Sequence, residues 1–318
     1  MSVRIRATYK LDRMTFHQAV QRILLKKHTL FQHLAPVPTP HRTRRYWLVG
    51  SALTAMLLLL ASRPAYNAYV ERGVDLEQQG QLDKAIAIYE TALRVHPGDA
   101  YTHYNLGSAL EKQGTLADAI AAYQTAIQHD ARYTFAYSNI GFALEQQGQP
   151  NDAIAAYQKA VAFNPTHAFI HTNIGDLYSK QQQFSQAIAA YRQAIQTNPK
   201  HILAYNHLGV ALRKQGKLQE AIAVHQYVIQ LDPRYIAAYS DLGNIFAMQG
   251  KLEPAIAGYR KALQLNPKNA AFHYSLGVLL ERQGELKTAQ AAYQQAIVLD
   301  PTTVVYKSAL SKVQQLAK

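Results

Sequence analysis

The chain has 318 residues, of which 48% are hydrophobic and 17% charged, and its formal net charge at pH 7 is +13. This apolar content excludes a disordered chain, and the absence of cysteine excludes disulfides, zinc–thiolate sites and a thiol nucleophile. The positive charge is concentrated in residues 1–45, which contain ten Lys or Arg and one acid, Asp12, whereas the residues after Arg63 carry only +3. A nucleic-acid-binding surface along the main part of the chain is therefore not expected.

Residues 1–45 form a basic N-terminal arm. Within it, residues 14–34 place apolar side chains at mostly helical spacing, with Arg22, Lys26 and Lys27 between them. One interpretation is an amphipathic helix that lies on an anionic membrane or on a partner; the other is a weakly structured arm that only orients the protein. The prolines of APVPTP, residues 35–40, end any such helix.

Residues 46–62, YWLVGSALTAMLLLLAS, form an uncharged run between Arg45 and Arg63. Its 17 residues are at the lower limit for crossing a bilayer, and Tyr46 and Trp47 stand where aromatic rings favour the interface. We predict an uncleaved transmembrane signal anchor, because no convincing cleavage site follows. The arm is then cytoplasmic and the C-terminal region extracytoplasmic, with a bacterial plasma membrane favoured and an organelle membrane, reached by a transit peptide, as the alternative.

From about residue 66 the sequence repeats with a period of 34 residues. Sixteen residues after each repeated glycine stands a tyrosine, replaced in the fifth unit by His225. Each unit predicts two amphipathic helices, the second with a motif such as ADAIAAYQTAI at 117–127. The repeated glycines are Gly73, Gly107, Gly141, Gly175, Gly209, Gly243 and Gly277.

This pattern resembles the tetratricopeptide repeat (TPR) family over about three quarters of the chain. The resemblance is carried by the glycine, by an alanine four residues before the aromatic, as in Ala119 and Tyr123, and by a closing proline in most units. It implies an all-α solenoid of seven helix-turn-helix repeats over residues 66–301. Residues 302–318 are expected to form a capping helix whose outer face, with Lys307, Ser311 and Gln314, is polar.

A second glycine follows the first by seven residues and stands where the first helix must end. Such a glycine takes a left-handed conformation at little cost. The fourth unit has Gln182 at this position, which predicts a strained or altered turn.

No motif in the sequence indicates catalysis, and the repeats and cap leave no segment for a catalytic domain. We therefore expect no enzymatic activity, no cofactor and no metal site. His103, His171 and His273 share one position of the repeat, but other units have tyrosine there, so they are interpreted as packing residues rather than metal ligands.

The resemblance places peptide binding on the concave face that the first helices of TPR solenoids form. Asn105, Asn139 and Asn173, two residues before the glycine, are similar to the asparagine ladder of O-linked N-acetylglucosamine transferases, which grips peptide backbone. The other candidate peptide-binding residues are Tyr101, Tyr104, Phe135, Phe169, Asp176, Asp241 and Asn244. The alternative is that these asparagines are ordinary surface residues. The Lys and Arg clamp of chaperone-binding TPR proteins is absent from these positions.

These observations predict a membrane-anchored TPR scaffold that binds a protein or peptide partner of unknown identity and positions it at the membrane. The alternative is a platform whose basic arm binds anionic lipid or, less favourably, nucleic acid.

Overall fold

In the computed structural model, residues 66–317 are described, and this part of the chain contains fifteen α-helices and no strand. The first, α1, is already helical at residue 66 and ends at 78. The others are α2 (Leu82–Val95), α3 (Ala100–Gln113), α4 (Leu116–His129), α5 (Thr134–Gln146), α6 (Pro150–Phe163), α7 (Ala168–Lys180), α8 (Phe184–Thr197), α9 (Ile202–Lys214), α10 (Leu218–Leu231), α11 (Ile236–Met248), α12 (Leu252–Leu265), α13 (Ala270–Gln283), α14 (Leu286–Leu299) and α15 (Val304–Leu316).

The helices form consecutive pairs, and each helix packs chiefly on its neighbours in the chain. The most extensive contacts of the odd-numbered helices from α3 to α13 are with the second helix of the same repeat. The last helix, α15, packs chiefly on α14 and has no second helix of its own repeat among the described residues; Lys307, Ser311 and Gln314 on it are exposed. An all-α solenoid of paired helices with a terminal cap is therefore confirmed for this part of the chain.

The repeated glycine allows the two helices of a repeat to approach each other. A Cβ added to Gly107 would stand 2.6 Å from two carbons of the Tyr123 ring, and Gly141 meets Tyr157 at 2.7 Å. Both tyrosines are almost completely buried, as are the alanines that precede them by four residues. The glycine and the aromatic ring of each repeat, which is His225 in the fifth, are thus one packing unit, and this unit recurs with the 34-residue period.

The second glycine ends the first helix as predicted. Gly114 has φ +92° and Gly284 has φ +88°, which L side chains rarely adopt. In the fourth repeat Gln182 has φ 60°, and it is the one non-glycine residue with positive φ in the described range. The turn keeps its shape, because Gln183 N–H still donates to Tyr178 O at 2.8 Å, so the glutamine is held in a strained conformation.

The predicted basic arm at 1–45, including its possible helix at 14–34, and the predicted span at 46–62 lie outside the described residues. Within residues 66–317, every helix is too short or too polar to cross a membrane.

Candidate functional site

The first helices of consecutive repeats form one continuous face, called here the inner face. Helices α3 and α5 contact each other, as do α7 and α9, and α9 and α11, whereas second helices of neighbouring repeats make no contact of similar extent. The array therefore curves with the first helices on its inner side. Five positions of each first helix point to this inner side, because their spacing follows the helical period. They are the residues six and three before the repeated glycine and those one, four and five after it.

Large apolar side chains are exposed at one repeated position of the inner face, six residues before the glycine. Tyr101, Phe135, Phe169 and Leu203 occupy this position in four consecutive repeats, and their side chains are 49%, 54%, 49% and 45% exposed. We call these four residues the apolar stripe. His167 lies between two of them, with its ring centroid 5.8 Å from that of Phe135 and 5.4 Å from that of Phe169.

Four glutamates occupy a second repeated position, four residues after the glycine: Glu77, Glu111, Glu145 and Glu281. We call them the carboxylate row. The hydroxyl of Tyr89 donates to Glu77 at 2.9 Å, Tyr123 to Glu111 at 2.9 Å, and Tyr293 to Glu281 at 2.7 Å. The core tyrosines therefore extend through the repeat and fix carboxylates on the inner face; burial raises the pKa of each of these hydroxyls.

Lysines from the following repeat or the cap neutralise most of the carboxylate row. Lys112 Nζ lies 2.8 Å from Glu77, Lys180 Nζ 2.6 Å from Glu145, and Lys312 Nζ 2.8 Å from Glu281. The bond from Lys312 lowers the pKa of Glu281. Glu111 has no Lys, Arg or His nitrogen within 4 Å among the described residues, and burial raises its pKa.

The asparagines lie on the first helices, and the side-chain amides of Asn139 and Asn173 donate hydrogen bonds inside the solenoid. Both amide hydrogens of Asn139 are donated to tyrosine hydroxyls, to Tyr123 at 3.1 Å and to Tyr104 at 3.3 Å. Asn173 donates to Tyr157 at 3.5 Å, and Asn105 is only 7% exposed. Asn139 and Asn173 therefore hold core tyrosines, whereas Asn105 Nδ2 is buried without a partner among the described residues. Peptide binding by the amides of the ladder stays a prediction.

The remaining predicted site residues also face neighbouring helices. Asp176 accepts from the Tyr191 hydroxyl at 2.7 Å and lies 2.6 Å from His207 Nδ1. Asn244 accepts from the Tyr259 hydroxyl at 2.7 Å. Burial raises the pKa of Asp241, whose carboxylate lies 3.9 Å from Arg213. Most of these polar groups have partners within the protein, whereas the aromatic residues of the stripe present free surface.

Sequence reasoning missed Leu203, the carboxylate row and Phe142. Leu203 stands at the same repeat position as Phe135 and Phe169, so the period alone could have identified it. The Glu–Lys pairs of the row could not be recognised, because each joins residues about one repeat apart. Phe142, one residue after its glycine, is 46% exposed on the inner face.

The histidines interpreted as packing residues have a structural role. His103 Nε2 lies 2.8 Å from Pro97 O, and His273 Nε2 lies 2.9 Å from Pro267 O. At the same position of the repeat Tyr239 donates its hydroxyl to Pro233 O at 3.0 Å. The ring at this position therefore fastens the start of a first helix to the proline that closes the preceding repeat.

Family models of this repeat match most of the described chain. Models described as tetratricopeptide repeat match residues 70–134 and 172–236, 132–200, and 270–303, and a model described as TPR repeat matches 243–284. Together they cover more than half of the chain, which therefore belongs to the tetratricopeptide repeat family, as the repeat pattern predicted.

Solved structures share the fold. A tetratricopeptide repeat protein from Parabacteroides merdae is 22% identical, with 79% of this chain and 99% of that chain covered at a TM-score of 0.55. The C-terminal part of a TPR repeat-containing protein from Cytophaga hutchinsonii is 19% identical, with 76% and 99% covered and a TM-score of 0.65. YrrB, a TPR protein with an unusual peptide-binding site, is 20% identical, with 60% and 98% covered and a TM-score of 0.50. These identities show a common fold alone, and no curated protein matches the chain significantly.

Proposed function

We propose that this protein is a scaffold that binds a segment of another protein along the inner face. The observation that carries the proposal is the apolar stripe, in which Tyr101, Phe135, Phe169 and Leu203 expose about half of their side chains at one position of four consecutive repeats. Isolated exposed apolar residues are common on protein surfaces, but a row of them indicates an interaction site. YrrB supports the proposal only by showing that this fold accommodates a peptide-binding site.

The energy available on this face is sufficient for peptide recognition. Covering the exposed part of one such aromatic ring stabilises a complex by about 1–2 kcal/mol, since apolar area contributes about 25 cal/mol per Å². Because the first helices present side chains rather than unpaired backbone, specificity must come from the side chains of the partner. Polar contacts are expected from groups beside the stripe that lack a close partner within the protein, of which the carboxylate of Glu111 is one.

The test is a selection of random twelve-residue peptides on the purified full-length chain, followed by affinity measurements on the enriched peptides. Replacing Phe135 and Phe169 together by alanine is expected to weaken their binding by about tenfold or more, because both rings are contact surface. The control is Phe163→Ala, since Phe163 is 47% exposed but belongs to the second helix α6. Equal binding by the double variant and the parent would contradict the proposal.

We propose further that residues 46–62 hold this scaffold at a membrane, with the repeats on the extracytoplasmic side. The support is the uncharged run, its flanking arginines and the basic arm before it. Because the chain lacks cysteine, single cysteines at Ser2 and Lys318 would be its only thiols. An impermeant thiol reagent on intact cells is expected to label the second site only. Labelling of the Ser2 site alone would reverse the orientation, and recovery of the chain in the soluble fraction would refute the anchor.

A further inference from the structure

Among residues 66–317, one member of the carboxylate row, Glu111, has no Lys, Arg or His nitrogen within 4 Å. We propose that Glu111 receives a lysine or arginine side chain of the partner segment, so that the inner face selects a basic residue accompanied by apolar ones. This inference rests on the proposed function of the inner face and names the chemistry of the partner.

The other members of the row show what such a site accepts. In the first, third and seventh repeats a lysine ammonium lies 2.6–2.8 Å from the glutamate. At Glu77 and Glu281 the same carboxylate also accepts a tyrosine hydroxyl, the arrangement that Tyr123 and Glu111 share. Three carboxylates of the row thus bind an ammonium group, two of them with the tyrosine contact that Glu111 also has, and Glu111 offers its carboxylate to a ligand.

The residues of the third repeat explain why no lysine lies beside Glu111. Glu77 is bonded by Ser108 Oγ at 2.7 Å and by Lys112 Nζ at 2.8 Å, both from the second repeat. The corresponding residues of the third repeat are Phe142 and Gln146, which carry no charge. The sequence neighbour of Glu111, Lys112, forms its ion pair with Glu77 and only partly opposes the rise that burial causes in the pKa of Glu111. This half-buried carboxylate therefore has no Lys, Arg or His nitrogen within 4 Å among residues 66–317.

The surroundings of Glu111 suit a basic side chain from outside. The exposed ring of Phe142 stands one repeat after the Ser108 position and offers apolar surface to the methylene groups of Lys or Arg and a π face to its charge. Glu111 and Tyr101 are ten residues apart on α3, which corresponds to about 15 Å along the helix. An extended peptide crosses this distance with about five residues, so a twelve-residue peptide reaches both the stripe and Glu111.

The experiment repeats the twelve-residue selection on the full-length chain and on two variants. Glu111→Gln removes the charge. Gln146→Lys places a lysine at the position from which Lys112 and Lys180 bind the preceding glutamate, so it fills the site from within. The control is Glu145→Gln, which also removes one negative charge from the carboxylate row, but at a glutamate that is already paired with Lys180. Thermal unfolding of each variant verifies that it is folded.

We expect Lys and Arg to be enriched in peptides selected on the parent. Replacing that basic residue by glutamine should weaken binding by about tenfold, the value of a hydrogen bond to a charged group, and binding should also weaken at higher salt. Glu111→Gln and Gln146→Lys should each weaken binding of the original selected peptide by about the same tenfold. With either variant, replacing the basic residue of the peptide by glutamine should have no further effect on affinity. Glu145→Gln should change affinity by less than about threefold, because the long-range effect of one charge is screened.

Three outcomes overturn the inference: no basic enrichment on the parent, a basic preference that survives Glu111→Gln, or peptide binding that strengthens about tenfold when residues 1–45 are deleted. Tighter binding after this deletion would show that the basic arm of this chain, and not a partner, occupies the inner face. If peptide binding depends on Phe135 and Phe169 but shows no preference for basic residues, only this inference fails. If replacing both phenylalanines leaves peptide binding unchanged, the proposed function fails.

Discussion

The ring of Tyr123 lies against Gly107 so closely that a Cβ on the glycine would be 2.6 Å from two ring carbons. The hydroxyl of the same buried tyrosine reaches the first helix of the repeat and donates to Glu111 at 2.9 Å. The contact that joins the two helices of the second repeat therefore also determines where a carboxylate of the binding face stands.

Replacing Gly107 by alanine is expected to destabilise the protein by about 2 kcal/mol, because the added methyl group forces the buried Tyr123 ring to move. Urea unfolding measures the change. The control is Gly98→Ala, where the nearest atoms to the new Cβ would be those of His129 at 3.5 Å, an ordinary contact. If both substitutions have the same small effect, the close packing of glycine and tyrosine does not limit stability.

Replacing Gln182 by glycine is expected to stabilise the protein by about 1 kcal/mol, because glycine adopts a φ of 60° without the steric cost that a side chain incurs. The unfolding midpoint in urea should rise. At Gln183, whose φ is −85°, glycine relieves no strain and should leave the midpoint unchanged or lower it. An unchanged midpoint for Gln182→Gly would contradict the strain inferred for this turn.

His225 is expected to make stability dependent on pH. It replaces the core tyrosine of the fifth repeat, and burial, with a smaller contribution from Arg213, lowers its pKa to about 4 from 6.5. Both ring nitrogens are buried without a partner among the described residues. Between these two pH values the unfolded chain binds more protons than the folded chain, so stability falls as the pH decreases through this window, by about 2 kcal/mol between pH 7 and pH 4.5.

His225→Tyr should remove this component of the pH dependence, because tyrosine stays neutral throughout the window. The measurement is the free energy of unfolding of both proteins at pH 7 and pH 4.5. His171 and His201, whose pKa values burial also lowers, are common to both proteins, so their contributions cancel in the difference. Parallel pH profiles for the two proteins would show that His225 is not the group responsible.

Replacing Asn139 by alanine is expected to cost about 1 kcal/mol of stability, because the hydroxyls of Tyr104 and Tyr123 lose the amide hydrogens that they accept. Peptides selected on the parent should lose less affinity with this variant than with Phe135→Ala. A larger loss of binding for Asn139→Ala, without a loss of stability, would instead favour direct contact between the asparagine ladder and the peptide.

The sequence alone determined the helix pairs and the positions of the turns between them. Gly107 and Tyr123 recur together because both are needed for one contact within a repeat, and Gln182 could be recognised as strained because six other units have glycine there. Such features involve residues within one 34-residue unit, and the local pattern records them directly. The predicted span at 46–62 is also a local pattern, and it stays a prediction.

Only the tertiary structure decided which polar groups of the inner face are already satisfied. The amide of Asn139 looks available in the sequence, but tyrosines from two other helices accept its hydrogens. Glu77 and Glu111 occupy the same repeat position, yet Lys112 forms an ion pair with the first, and no Lys, Arg or His nitrogen of the described residues lies within 4 Å of the second. These differences arise between repeats, where the packing of one helix on the next selects the partner, and for that reason the spacing of residues within a repeat could not predict them.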